Sequence, residues 1–157
     1  MVKNKCAFTL IELIISLVVI SLLSGITLAY YNKLNASKKL EQETNKLIDV
    51  LELAKNKALT NDLGNQNASE CNLKGYAVEF SGDRNYFLVQ QCATQNFFLS
   101  NYSLTDSVRF LSPPANILFS PLTGSNNGSA TITLIESSLG VAKVATVSVN
   151  YGNIQKL

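Results

Sequence analysis

From Leu13 to Asn32 the chain runs 20 positions without a charged residue, most of them Leu, Ile or Val. As a helix at ~1.5 Å per residue this stretch is ~30 Å long, the thickness of a bilayer's hydrocarbon core. It also accounts for the slightly positive mean hydropathy of +0.14. Of the first 31 residues 21 are apolar, and the remainder has the composition of an ordinary soluble fold. Two plain readings fit the run. One is a cleavable secretory signal, with Lys3 and Lys5 as its charged start and Thr27-Leu-Ala29 as a poor cleavage site. The other is a simple membrane anchor. Neither explains Glu12, because a carboxylate costs ~2.5–3.5 kcal/mol at the centre of an inserted helix. That cost falls near the membrane surface, so Glu12 weighs against a plain signal without removing it. Thr9-Leu-Ile-Glu12 also fits a capping box, in which each side chain satisfies a backbone donor at a helix start.

The residues around Glu12 form a longer pattern. Met1-Val-Lys-Asn-Lys-Cys-Ala7 is a short basic leader, and Ala7-Phe-Thr-Leu-Ile-Glu-Leu-Ile14 follows it. This string resembles the cleavage and methylation motif of type IV pilins and type II secretion pseudopilins. The resemblance implies that a prepilin peptidase cuts between Ala7 and Phe8, and that Phe8 becomes an N-methylated amino terminus. It gives Glu12, at the fifth mature position, a part in assembly. Ala7 departs from the Gly usual before the cut; a small residue still fits a tight peptidase site, with slower processing expected. Lys3 and Lys5 precede the apolar run while Lys33, Lys38 and Lys39 follow it, so the positive-inside rule barely decides orientation. The resemblance decides it: a cytoplasmic leader, a single pass through the inner membrane, and a head outside the cytoplasm.

The helical pattern continues beyond Asn32. Leu40, Thr44, Leu47, Leu51, Ala54 and Ala58 recur on one helical face, while Glu41, Glu43, Lys46, Asp49, Glu52, Lys55 and Lys57 fill the other. No proline occurs before Pro113, so one helix is predicted from about Thr9 to Thr60, a separate second helix being the alternative. Past Asn61-Asp-Leu-Gly64 the texture turns to short alternating runs. Gly75–Phe80 and Asn85–Gln91 read as a hairpin around Ser81-Gly-Asp-Arg84, and Val108–Leu111 and Ile117–Phe119 as shorter strands about Pro113-Pro114. Ala130–Leu134 alternates, as do Ala145, Val147, Val149 and Tyr151, while Pro121–Gly128 is a turn-rich connection. The expected fold class is α+β and type IV pilin-like: a long amino-terminal helix packed on an antiparallel β-sheet head. Its divisions are a leader (1–7), a transmembrane half-helix (8–32), an amphipathic half (33–60) and a β-rich head (61–157). Phe119-Ser-Pro-Leu-Thr-Gly124, a Thr-rich strand and a Val-rich strand closing on Tyr151-Gly152 resemble the GspH/FimT branch of minor pilins and pseudopilins. That branch holds low-abundance subunits thought to sit at a tip or to initiate assembly.

Little else in the chain carries chemistry. There is no histidine, which removes His-based triads, His general bases and mixed Cys/His zinc sites. Three cysteines cannot build a Cys₄ zinc site, and no G-x-S-x-G nucleophile motif occurs. No enzyme, catalytic residue, metal or cofactor is expected. Cys6 leaves with the leader. Cys71 and Cys92 flank the predicted hairpin at nearly paired positions, and a head outside the cytoplasm would let them form a disulfide; two free buried thiols are the alternative. Ser81-Gly-Asp83 and Thr105-Asp106 could offer oxygens to calcium, but without a calcium-loop pattern they read as turn chemistry. Asn-x-Ser sequons at Asn35, Asn67, Asn101 and Asn127 follow from a composition rich in Asn and Ser.

Some FimT-like subunits are associated with DNA binding through arginines beside the closing glycine. Here that stretch is Gly152-Asn-Ile-Gln-Lys156, and Arg84 and Arg109 are the only arginines, so direct nucleic-acid binding is disfavoured. With a net charge of only +2, general coating of nucleic acid is disfavoured as well. The reading is a structural pilin or pseudopilin subunit whose partners are the peptidase, related pilins, an inner-membrane assembly platform and the bilayer. The alternative is an anchored tip adhesin or DNA-uptake subunit of the same fold, with Asn101–Ser103 and Asn126–Gly128 as surfaces to probe.

Overall fold

The computed structural model describes residues 9–63, 71–126, 128–137 and 142–157, with the backbone alone at 26–29. These residues form one helix, α1 (Leu10–Leu59), and then strands only: β1 (Leu73–Ser81), β2 (Asn85–Cys92), β3 (Asn96–Ser103), β4 (Val108–Leu111), β5 (Asn116–Phe119), β6 (Ser129–Glu136), β7 (Lys143–Asn150) and β8 (Asn153–Lys156). The chain divides into two compact units, Met1–Asn35 and Ala36–Leu157, and α1 contributes to both. The expected leader and Phe8 lie outside the described residues.

In the first unit the large apolar side chains from Leu10 to Leu23, and Tyr30 and Tyr31, are exposed. In the second, α1 buries one face. Leu40, Thr44, Leu47, Leu51, Ala54 and Ala58 are all buried, together with Ala36 and Val50. Glu43, assigned above to the charged face, is buried too. The reason is width. A core-facing stripe spans about 100° or more, so the line through residues 36, 40, 43, 47, 50 and 54 goes under along with the line first traced. Glu43 keeps one oxygen on Lys46, 3.0 Å away, while its Oε2 has no hydrogen-bond partner among the described residues. The helix closes with Asn61 in the left-handed region, φ 50. The Asn61 N–H donates to the Ala58 carbonyl and the Asp62 N–H to that of Lys57, the paired bonds of a Schellman end.

The head holds two four-stranded antiparallel sheets where one was expected, ordered β3-β2-β1-β5 and β4-β6-β7-β8. The chain leaves the first sheet for β4 and returns for β5, with Pro113 and Pro114 between them. Neither proline can donate to a ladder, so the strand must end there. Leu47, Leu51, Ala54 and Ala58 share one core with Tyr76, Val78, Leu88 and Phe119 of the first sheet and with Ile132, Leu134, Val147 and Val149 of the second. Burial pushes the phenol of Tyr76 up to about 12, with the Asp62 carboxylate adding to the effect. Burial also raises that of Tyr86, with the Glu43 carboxylate as the second cause.

β3 and β8 escaped the sequence reading. β3 is an edge strand whose residues are nearly all exposed, so it shows no period-2 burial pattern to recognise. β8 follows Tyr151-Gly152, where the Val-rich strand was expected to close; both residues take positive φ, 49 and 86, and form the two-residue loop of a tight hairpin that pairs Asn150 with Asn153. Tyr151 therefore points to solvent instead of continuing the Val147–Val149 alternation.

Candidate functional site

The start of α1 is built by two side chains. Thr9 precedes the first helical residue, and its Oγ1 accepts from the Glu12 N–H at 3.4 Å. Glu12 Oε2 reaches back to accept from the Thr9 N–H at 3.0 Å and from its hydroxyl at 2.8 Å. This reciprocal arrangement is the capping box that the sequence allows, and it satisfies two donors that a helix start otherwise leaves open. A negative group in the first turn also suits the helix dipole. Ala7 and Phe8, the expected cut site, lie outside the described residues.

Beyond this cap the helix hides its few polar groups from its surroundings. The hydroxyls of Ser16, Ser21 and Ser24 donate to the carbonyls of Glu12, Leu17 and Ile20 at 2.7, 2.8 and 2.7 Å. Each thus finds its partner four residues back on the same helix, the arrangement a hydroxyl needs where water is absent. What remains outward is apolar. By length and composition α1 can cross a membrane.

The head sites fall into place around the sheets. Cys71 and Cys92 form a disulfide with Cα atoms 5.1 Å apart. In the hairpin register Tyr76 faces Gln90 and Phe80 faces Tyr86, and a bulge at Leu73/Gly75 brings Leu73 opposite Cys92. Asp83 and Asp106, the weighed calcium candidates, instead meet Arg84. Its guanidinium lies 2.8 Å from Asp106 and 3.8 Å from Asp83, and the Asp83 carbonyl accepts from the Phe110 N–H. Asn101 is exposed on β3, whereas Asn126 is buried.

Asn126 was missed as a structural residue. Its Nδ2 donates to the Gly128 carbonyl at 3.0 Å, and its Oδ1 accepts from the Gly152 N–H at 2.7 Å. It thereby ties the Phe119–Gly124 segment to the closing hairpin, the two stretches noticed separately in the sequence. The bond to Gly128 is local, but nothing near Asn126 in sequence could have announced the one to Gly152, 26 residues away.

A long amino-terminal helix followed by antiparallel sheets is the α+β architecture of a type IV pilin-like protein. Residues 2–28 match the family model of the prokaryotic N-terminal methylation motif. That motif is the prepilin peptidase cleavage site, and over residues 2–28 the chain carries the N-terminal signature found in the type IV pilin and pseudopilin superfamily. No curated protein and no solved structure matches the chain.

Proposed function

We propose that this chain is a non-enzymatic minor pilin or pseudopilin of the GspH/FimT kind. Prepilin peptidase cuts it between Ala7 and Phe8, and Phe8 is then methylated on its new amine. The mature subunit crosses the inner membrane once, with its head outside the cytoplasm, and joins or initiates a pilus or pseudopilus with related pilins on an assembly platform. The observation that carries this reading is the motif at residues 2–28 leading into a helix whose large apolar side chains are exposed. Such a surface requires lipid before assembly and neighbouring helices afterwards.

Within that reading Glu12 changes partners. In the bilayer it sits near the interface, where water or headgroups serve it beside the Thr9 cap. Drawn into a filament core it loses that solvation, and an unpaired buried charge is costly. The Phe8 amine of an adjacent subunit, cationic at neutral pH, meets the deficit of both groups and sets the axial register between helices. DNA capture has less support, because Arg84, one of only two arginines, is engaged by Asp106.

The test separates pairing from capping. Glu12→Gln keeps a side-chain acceptor for the Thr9 donors but removes the charge. The expected result is a mature chain beginning at Phe8 by mass spectrometry, inserted in the membrane, that no longer co-purifies with partner pilins. Normal incorporation of this variant would leave the cap as the whole account of Glu12. A mature terminus near Tyr30 would identify a secretory signal and end the pilin reading.

A further inference from the structure

An open cleft in the second unit has no part in the functions above. Ser37, Leu40 and Glu41 of α1 form one wall, and Lys143, Val144 and Lys156 stand across from them around about 440 Å³. Two ammonium groups converge there. Lys143 Nζ donates to Ser37 Oγ, and Lys156 Nζ lies 3.9 Å from Glu41 Oε1. The second pair is long and exposed on both sides, so it is weak and readily exchanged for another anion. Exposed Lys38 and Lys39 lie on the same helical turn as Ser37, leaving Glu41 outnumbered by lysines. Beside the charges the cleft is lined by aliphatic groups, Leu40, Ala145 and the exposed Val144 at 58%. Cations next to exposed aliphatic surface match a phosphodiester joined to glycerol and the first methylenes of an acyl chain. The position fits as well: Ser37 follows Asn32, the end of the uncharged run, by five residues. Chain connectivity alone keeps it within ~18 Å of that end, and headgroups occupy the first several ångströms outside the hydrocarbon.

We propose that this cleft binds the headgroup of an anionic phospholipid, holding the head on the membrane surface until the subunit is drawn into an assembly. The proposal rests on the membrane anchoring argued above. The ligand is the phosphodiester of a lipid rather than free phosphate, because the aliphatic rim would otherwise have no partner.

The experiment uses the full chain in nanodiscs of phosphatidylcholine, alone or mixed with phosphatidylglycerol. Amine acetylation is followed lysine by lysine by peptide mass spectrometry. Lys143 and Lys156 should react severalfold more slowly in the phosphatidylglycerol discs, while exposed Lys74 on β1 reacts equally in both. In native mass spectrometry, Lys143→Gln with Lys156→Gln should lower phosphatidylglycerol retention roughly thirtyfold, about fivefold for each lysine near an anionic surface. The corresponding pair of Arg substitutions should preserve it. Equal reactivity in both discs overturns the headgroup site while leaving the anchor intact, since the chain has entered both; failure to enter either removes anchor and site together. Protection by inorganic phosphate in detergent, equal to that by lipid, would overturn the lipid assignment in favour of a soluble anion. Protection in phosphatidylcholine discs that rises with the number of chains per disc would overturn it in favour of contact between copies.

Discussion

Gly152 is held in a position that admits no side chain. Its φ of +86 suits glycine, and a Cβ placed on it would lie 2.5 Å from the Gly124 carbonyl oxygen. That contact is backbone to backbone, so no side chain can swing away to relieve it. Gly152→Ala therefore combines positive-φ strain with overpacking, and is expected to destabilise the head by about 2–4 kcal/mol. Chemical denaturation of the wild type and variant measures this. A loss below about 0.5 kcal/mol would show that the Asn126 tie relaxes freely. Glu12 illustrates a different situation at the same scale. Its carboxylate caps its own helix through Oε2 alone, so the cap uses only part of its hydrogen-bonding capacity.

At the scale of elements, the helix and the hairpin are held by different means. α1 in the head owes its place to its buried stripe rather than to propensity, since helices in proteins are stabilised mostly by packing an apolar face. The β1–β2 hairpin and the segment before it are fastened by Cys71–Cys92, separated by 21 residues. A loop of that size corresponds to roughly 3 kcal/mol in the chain-entropy account of disulfides. Reduction should lower the unfolding free energy of the head by about that amount, read from urea curves with and without reductant. Unchanged curves would mean that the β1–β2 ladder alone already holds the hairpin shut. Edge strands β3 and β8 have no such fastening, and their exposure leaves them held chiefly by backbone pairing to β2 and β7.

For the whole molecule, the shared core sets a limit on alkaline stability. Tyr76 and Tyr86 both hold their protons more tightly in the folded head than in the unfolded chain, chiefly because burial disfavours the phenolate. With the folded values raised, their contribution is fully present below the ordinary tyrosine value near 10 and is lost as pH climbs through the folded values. For Tyr76 that window ends at about 12. Unfolding free energy should therefore fall from about pH 10 upward, and Tyr86→Phe should flatten part of the decline. Stability measured against pH for both proteins checks this; an identical slope would mean that neither the phenol's burial nor the Glu43 charge matters to the fold.

Much of this is legible in the sequence alone. The uncharged run, the Thr9–Glu12 spacing and the stripe from Leu40 to Ala58 are local periodic signals, and a helix depends on neighbours three and four residues apart. The alternating runs of β6 and β7 were legible for the same local reason, and β1 and β2 from the turn residues between them. What only the tertiary structure decided depends on residues far apart in sequence. The division of the head into two sheets, the burial of Glu43, the tie from Asn126 to Gly152 and the meeting of Ser37 with Lys143 all join segments through the folded core. A sequence pattern reports which face of an element is apolar; the element that covers that face, and any charge enclosed with it, is set by close packing of the whole head.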